Sequence, residues 1–316
     1  MFDTIIIGPT KVGKTALIAS LQQAATLVSL DSTEVEMDVL AKNELTRRIF
    51  NKAFDVIQHG EVPFAGTSVA EAYDFTMNVE VKTSGISGFF SELFNQNRHE
   101  GHFQFLDSPG GAVFDDGKTS TTEARSSNPH FQAIVKLMLE AEGLIVCVNA
   151  CDSTTTDVAR QKEIRNFYTK AFQFLLTHGF ETSVPIERVC FVLTKSDLWA
   201  EKAGHGESAE AFLEQQDPVE VVRRVIGEKS LDTLSVFLED QAEVAFAFTS
   251  VYGFFDGGVH QGIGRGESSD LSVDIEDWKP YNIAESFAWL ISGQVFNNAL
   301  RVLTHKQLSN LLKGVN

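Results

Sequence analysis

The stretch Gly8-Pro-Thr-Lys11-Val12-Gly13-Lys14-Thr15 has the spacing G-x-x-x-x-G-K-[ST]. It directly follows an apolar run, Thr4–Ile7, and opens a helical pattern carrying Leu17, Leu21 and Ala24. Residue types in this order suit a loop that holds phosphate. Glycines let backbone N–H groups curl around phosphate oxygens, and the positive end of the following helix adds to their field. The Lys14 ammonium can reach the outer phosphates of a nucleotide, and the Thr15 hydroxyl can ligate Mg²⁺.

Three more short motifs follow apolar runs. Asp107-Ser-Pro-Gly110 comes after Phe103–Leu106. An acid there can hold Mg²⁺ through water, and the Gly110 N–H can touch a γ-phosphate and release it after hydrolysis. Thr194-Lys195-Ser196-Asp197 comes after Val189–Leu193. The Asp197 carboxylate can accept two hydrogen bonds, from N1–H and the exocyclic amine of guanine. Adenine has no such donor pair. The stem of Lys195 can lie over the purine ring. Thr249-Ser250 comes after Val244–Phe248, where turn N–H groups can meet the guanine oxygen. Each of these alone reads as a polar turn at the end of a strand; their order behind a phosphate loop gives them meaning.

Taken in that order, the four motifs resemble the Ras-like GTPases of the translation-factor-related P-loop class. GPTKVGKT looks like their phosphate loop, DSPG like switch two, TKSD like the guanine-specificity motif and TS like the base-contact turn. The resemblance covers about Met1 to Gly253, and its nearest tone is that of stand-alone, double-GTPase-like bacterial members. It implies GTP or GDP with Mg²⁺, with Gly8, Lys11, Val12, Gly13, Lys14, Thr15 and Ala16 around the phosphates. Thr194, Lys195, Asp197 and Ser250 would meet the base, and Thr15, Thr67 and Asp107 the metal. Lys14, Thr67 and Gly110 would act on the transferring phosphate. Thr67, with Ser68 as the second choice, is the switch-one hydroxyl in Gly60–Ser68; the alternative for both is an ordinary loop hydroxyl. Thr194 stands where Asn is commoner.

One departure bears on turnover. Ras-type enzymes carry Gln, and translation factors His, directly after the switch-two glycine; this chain has Gly111. Asp115, Asp116, Gln104 and His130 lie in the neighbourhood. Arg125, Arg47 or Arg48 could serve as an arginine finger, although each reads more simply as a surface charge. Slow hydrolysis is therefore expected, with a protein effector or activator as partner. A nucleotide-binding scaffold without turnover is the second reading. An ATPase or kinase on the same loop is the third, and Asp197 opposes it.

The elements that must position these residues are legible as runs and stripes. Six apolar runs read as strands: Thr4–Ile7, Tyr73–Val81, Phe103–Leu106, Leu144–Val148, Val189–Leu193 and Val244–Phe248. Tyr73–Val81 alternates strictly, as a strand buried on one side does, antiparallel or near an edge. Helical stripes separate the runs, at Leu45–Ile57, Phe131–Leu139 and Ile164–Leu175. The expectation is an α/β P-loop fold, a mostly parallel sheet of about six strands with helices on both faces. Open sheets of this kind bind ligands at the carboxyl ends of their strands. We read residues 1–316 as one elaborated GTPase domain. A helical insertion is expected over about 31–60, and a final helix over about 283–303 with a short tail.

Composition narrows the function classes. Of 316 residues, 43% are hydrophobic, enough for a sizeable core, and the formal net charge is −17. So acidic a surface repels phosphate backbones and anionic lipid, so neither nucleic-acid binding nor membrane insertion is expected. Three cysteines, Cys147, Cys151 and Cys190, cannot all pair with one another. Together with the absence of a leader-like segment they suit a reducing cytoplasm. The His99–His102 pair lacks the partners of a metal site and reads as loop residues; Asp152 reads as a helix cap.

Overall fold

A computed structural model describes residues 1–31, 35–59, 71–81, 98–107, 136–178, 185–259, 278–296 and 300–314. Its centre is an eight-stranded sheet. The first strand, β1 (Phe2–Ile7), feeds the phosphate-loop motif and then α1 (Lys14–Asp31). Next come β2 (Val35–Ala41), α2 (Glu44–His59), β3 (Glu71–Val81) and β4 (Arg98–Asp107). The second half holds β5 (Gly143–Asn149), α3 (Val158–His178), β6 (Arg188–Thr194), α4 (Ser196–Lys202), α5 (Ala209–Glu214), α6 (Pro218–Ile226), α7 (Glu228–Phe237) and β7 (Glu243–Phe248). A two-stranded hairpin, β8 (Phe254–Phe255) with β9 (Gly258–Val259), precedes α8 (Ile283–Ser292), β10 (Leu300–Thr304) and α9 (His305–Leu312).

Across the sheet the order is β10-β7-β6-β5-β1-β4-β3-β2. The five central strands, from β7 to β4, run parallel, while β3, β2 and β10 pair antiparallel. Strands β5 to β7 are buried along nearly their whole length. That is why their sequences are continuous in Val, Ile, Leu and Phe rather than alternating. β3 alternates because its large apolar residues all pack on one face, where Tyr73, Phe75, Met77 and Val79 are buried; on the other face Asp74 and Asn78 are half-buried and Thr76 is buried. It pairs antiparallel with both β2 and β4, one strand in from the edge.

Two cores sandwich the sheet. On one face α1 and α8 pack Leu17, Ile18, Phe287 and Trp289 against Ile6, Phe75, Phe103 and Val192. Phe75 and Phe103 stack across neighbouring strands with centroids 5.0 Å apart. On the other face α3, α6 and α7 pack Tyr168, Phe172, Val222 and Leu231 against Ile5, Val146, Phe191 and Phe246.

Three expectations are corrected. The sheet has eight strands, not six. The span 31–60 is not wholly helical: Val35, Met37 and Val39 are buried in β2 while Glu36 and Asp38 are exposed, a period of two that suits a strand. The final helix stops at Ser292, where Gly293 adopts φ 71° and closes it, and 300–304 is the edge strand β10. The tail carries a helix of its own, started by a capping box in which Thr304 and Gln307 satisfy each other's backbone N–H groups. Within the stripe Phe131–Leu139, residues 136–139 are helical and 131–135 lie outside the described residues.

Candidate nucleotide site

The sheet order reverses at β1, which lies between β4 and β5. A crevice forms at such a point because the flanking crossovers leave on opposite faces. The loop Gly8–Gly13 sits there, and α1 begins at Lys14 with the Leu17 N–H bonded to the Gly13 carbonyl at 2.9 Å. Glycine is required twice. A Cβ on Gly8 would lie 2.8 Å from the Cys147 carbonyl of β5, and Gly13 has φ +103°. Lys11 also adopts a left-handed φ, 64°, which helps the loop close on itself.

Lys14 is buried, and its ammonium donates to the carbonyls of Gly8 at 2.8 Å and Pro9 at 2.9 Å. It also lies over the Phe105 ring, 5.7 Å from the centroid. The loop therefore wraps its own cation. Thr15 and Ala16 follow in the first turn of α1, half-buried, beside a helix start with no acidic residue in its first turn. No acidic residue of that turn opposes an anion at the positive end of the helix.

The Thr194–Asp197 motif is tied to this loop by two side chains. The buried Thr194 hydroxyl, at the end of β6, lies 2.5 Å from the Val12 carbonyl and 3.2 Å from that of Val148. A hydroxyl has one proton, so the nearer carbonyl takes it. Lys195, in the left-handed region at φ 58°, reaches across to donate to the Lys11 carbonyl at 2.9 Å. Burial lowers its pKa below the usual value, with Cys151 and Asp152 acting the other way. Gly13 packs beside Thr194 and the Lys195 stem, each about 3.6–3.7 Å from where its Cβ would be.

Asp197 stands in the first turn of α4 and is 7% exposed. Burial raises its pKa, while hydrogen bonds from the Ser250 side chain and the amides of Asp197 and Leu198 hold the charge. The Ser250 hydroxyl in turn accepts the Gly253 N–H at 3.0 Å. Thr249 locks the two strand ends together: its N–H and hydroxyl both reach the Leu193 carbonyl, and its carbonyl accepts the Ser196 N–H. Ser250 exchanges two backbone hydrogen bonds with Tyr281, just before α8. The carboxylate is thus buried, fixed from two sides, and part of the same rigid cluster as the phosphate loop.

The structure therefore brings Gly8, Lys11, Val12, Gly13, Lys14, Thr15, Ala16, Thr194, Lys195, Asp197 and Ser250 to one end of the sheet. β4 pairs in parallel with β1, so its carboxyl end reaches this same edge with Asp107 as its last residue. Thr67, Ser68, Gly110, Gly111, Asp115, Asp116, Arg125 and His130 lie outside the described residues. Arg47 and Arg48 are exposed on α2, each paired with Glu44, as surface charges are. Among the described residues no group of three or more His, Cys, Asp or Glu side chains could hold a metal.

Sequence reasoning overlooked several neighbours. Asn149, not Asp152, caps the turn after β5, its side chain accepting from the Cys151 N–H at 3.1 Å. Asp152 faces Arg160 at 3.7 Å; burial raises its pKa against the pull of Arg160 and Lys195. Tyr252 lies beside the base motif, its phenol pushed up to about 12 by burial and by the Asp197 charge. Its place two residues after Ser250 was the signal available. His99 and His102 belong to β4 and not to a loop. The three cysteines are free thiols, and burial pushes Cys147 up to about 12. No described helix is long and apolar enough to cross a membrane.

No protein-family model matches the chain, and no curated protein matches it. Among solved structures it is similar to the signal recognition particle receptor SRb-GTP/SRX complex from Chaetomium thermophilum. There the identity is 13%, over 81% of this chain and 95% of that one, with a TM-score of 0.35. It is also similar to the S. cerevisiae Ski7 GTPase-like domain, a structure bound to GDP and inorganic phosphate. The identity there is 10%, over 72% of this chain and 40% of that one, with a TM-score of 0.29. At these scores the chains overlay only loosely in space.

Proposed function

We propose that the chain binds guanine nucleotides and hydrolyses GTP slowly, as a cytoplasmic switch that acts through a protein effector or activator. The observation that carries this reading is the double tie from the base motif to the phosphate loop, Thr194 to Val12 and Lys195 to Lys11. It fixes the distance between a phosphate cradle and a buried carboxylate suited to guanine. A ligand that satisfies both must carry phosphate and a base with two adjacent donors.

The residues present suit Mg²⁺, a hard cation that prefers oxygen donors and usually keeps several waters. The Thr15 hydroxyl in the first turn of α1 and Thr67 would hold it, with Asp107 at the end of β4 acting through water. When bound, it would neutralise charge between the outer phosphates. Lys14 and the loop amides would offset charge on the transferring phosphoryl, and the Gly110 N–H would read its presence. Gly111 offers no side chain to orient water, so the chain by itself leaves the attacking water poorly placed. The segments around 60–70 and 110–128 would carry the state outward.

A single-turnover assay with GTP and with ATP tests this. Hydrolysis of GTP near or below about 10⁻⁴–10⁻³ s⁻¹, the intrinsic Ras-like scale, and weak ATP binding are expected. Equal affinity for ATP would overturn the guanine assignment. Tight GTP binding with no turnover even beside an activating partner would favour the scaffold.

A further inference from the structure

His102 projects from β4 on the face opposite Phe103 and Phe105 and touches two carboxylates at once. Its Nδ1 is 2.9 Å from an oxygen of Asp3 on β1, and its Nε2 is 2.8 Å from an oxygen of Asp74 on β3. Neutral imidazole carries one N–H and could donate to one of them only. The other ring nitrogen would then turn a lone pair towards an anion. Imidazolium carries two N–H groups and satisfies both.

The surroundings favour the charged form. The side chains of His102, Asp3 and Asp74 are 22%, 54% and 33% exposed, so the contacts are partly shielded from water. Burial acts to lower the histidine pKa, but the hydrogen bonds and charges of Asp3 and Asp74 outweigh it, leaving it above the usual 6.5. Asp3 faces the ring from β1, and its backbone N–H is bonded to the Glu142 carboxylate at 3.0 Å. Asp74 faces it from β3, and its N–H is held by the Thr46 hydroxyl of α2 at 2.8 Å. Two residues along β4 on the same face is Glu100, exposed and another acid; Gln104 on the other side is uncharged. Among the described residues no other charged group acts on the ring.

The strands so joined are those that lead to the site. β1 runs into the phosphate loop, β4 ends at Asp107, and β3 begins directly after residues 60–70. We propose that Asp3, His102 and Asp74 form a proton-operated pin: one proton on the ring ties β1, β4 and β3 together, and its loss frees one carboxylate and loosens β4 against the strand that carries it. The folded state binds this proton more tightly than the unfolded chain does. The pin's contribution is therefore complete below about pH 6.5 and fades as the pH rises through the higher folded value.

The test uses the full chain without nucleotide, so its outcome is independent of the functional reading. Ring protons of all eight histidines are followed by NMR against pH, with His102→Gln identifying the signal. The His102 ring should titrate above 6.5 and move back towards that value in Asp3→Asn and in Asp74→Asn. Amide exchange in β3 and β4, corrected for intrinsic rates, should quicken from about pH 6 to about pH 9 in the natural chain and stay level in His102→Gln. A His102 titration at or below 6.5, or one unmoved in both Asp variants, overturns the pin. So does the same exchange profile in His102→Gln. A titration at or below 6.5 in the natural chain overturns the pin even where a variant folds poorly.

Discussion

Replacing Thr194 by Val isolates the tie between the two halves of the site. The substitution keeps size and branching and removes only the hydroxyl. Thr194 is 2% exposed, so the Val12 carbonyl that loses its donor has no ready access to water there. An unsatisfied buried acceptor costs about 1–3 kcal/mol, against the roughly 0.5–1.5 kcal/mol an ordinary hydrogen bond contributes. A methyl cannot approach a carbonyl oxygen at 2.5 Å, the observed separation, so the loop must also move away. Both effects fall on the segment Gly8–Gly13, which under the proposed reading must be pre-shaped to hold phosphate. If the whole cost appears in binding, affinity for GDP falls by about five- to 150-fold, since 1.4 kcal/mol is a factor of ten. If it appears in folding, the melting temperature drops by about 2–4 °C for each kcal/mol in a domain of 150–250 residues, and somewhat less in a larger one. Calorimetry with GDP and thermal unfolding of the free chain, run together, separate the two. Thr194→Ser, which keeps the hydroxyl, should recover most of the loss. Normal affinity and unchanged melting in Thr194→Val would refute the idea that this hydroxyl organises the loop.

Gly8→Ala places a Cβ 2.8 Å from the Cys147 carbonyl, a backbone atom that cannot swing aside; lower melting temperature and weaker nucleotide binding are expected, and a stable variant that binds normally would contradict the close packing of the loop on β5. Lys14→Ala should abolish nucleotide binding, whereas Thr15→Ala should chiefly lower the Mg²⁺-dependent part of the affinity; titrations with and without the metal distinguish the roles. Under the proposed reading guanine pairs with ionised Asp197, whose pKa burial raises above the usual 3.8, so on acidification its share of the affinity should be lost earlier than an ordinary Asp would allow. The sign for stability is the reverse of a paired carboxylate: the buried charge weighs against folding above 3.8 and is relieved as pH falls through the higher folded value. Asp197→Asn, measured by the same calorimetry, should bind GDP weakly with little pH dependence in that range.

The sequence by itself determined the parts that depend on local chemistry. A glycine at position 13 before Lys14, and a run such as Leu144–Val148 with no polar interruption, leave few backbone choices. The first demands a left-handed turn into a helix, and the second a strand covered on both faces. The placement of Asp197 and Ser250 at one edge was legible for a related reason, since each lies just past the end of such a strand and the carboxyl ends of parallel strands share one edge. The elements that tertiary structure decided have local patterns that admit more than one answer. Leu300 and Leu303 are spaced as on a helix, and became part of β10 because β7 had an unpaired edge whose N–H and C=O groups needed partners. β2 alternates over only seven residues between two helical stretches, and its pairing with β3 settled its form. The Thr194 hydroxyl and the Val12 carbonyl are 182 residues apart in sequence, and Asp3 and His102 are 99 apart. No spacing rule links such pairs. They meet because the sheet order sets β1 between β4 and β5 and brings β6 to the same edge, so the nearest neighbours in space are segments distant in sequence.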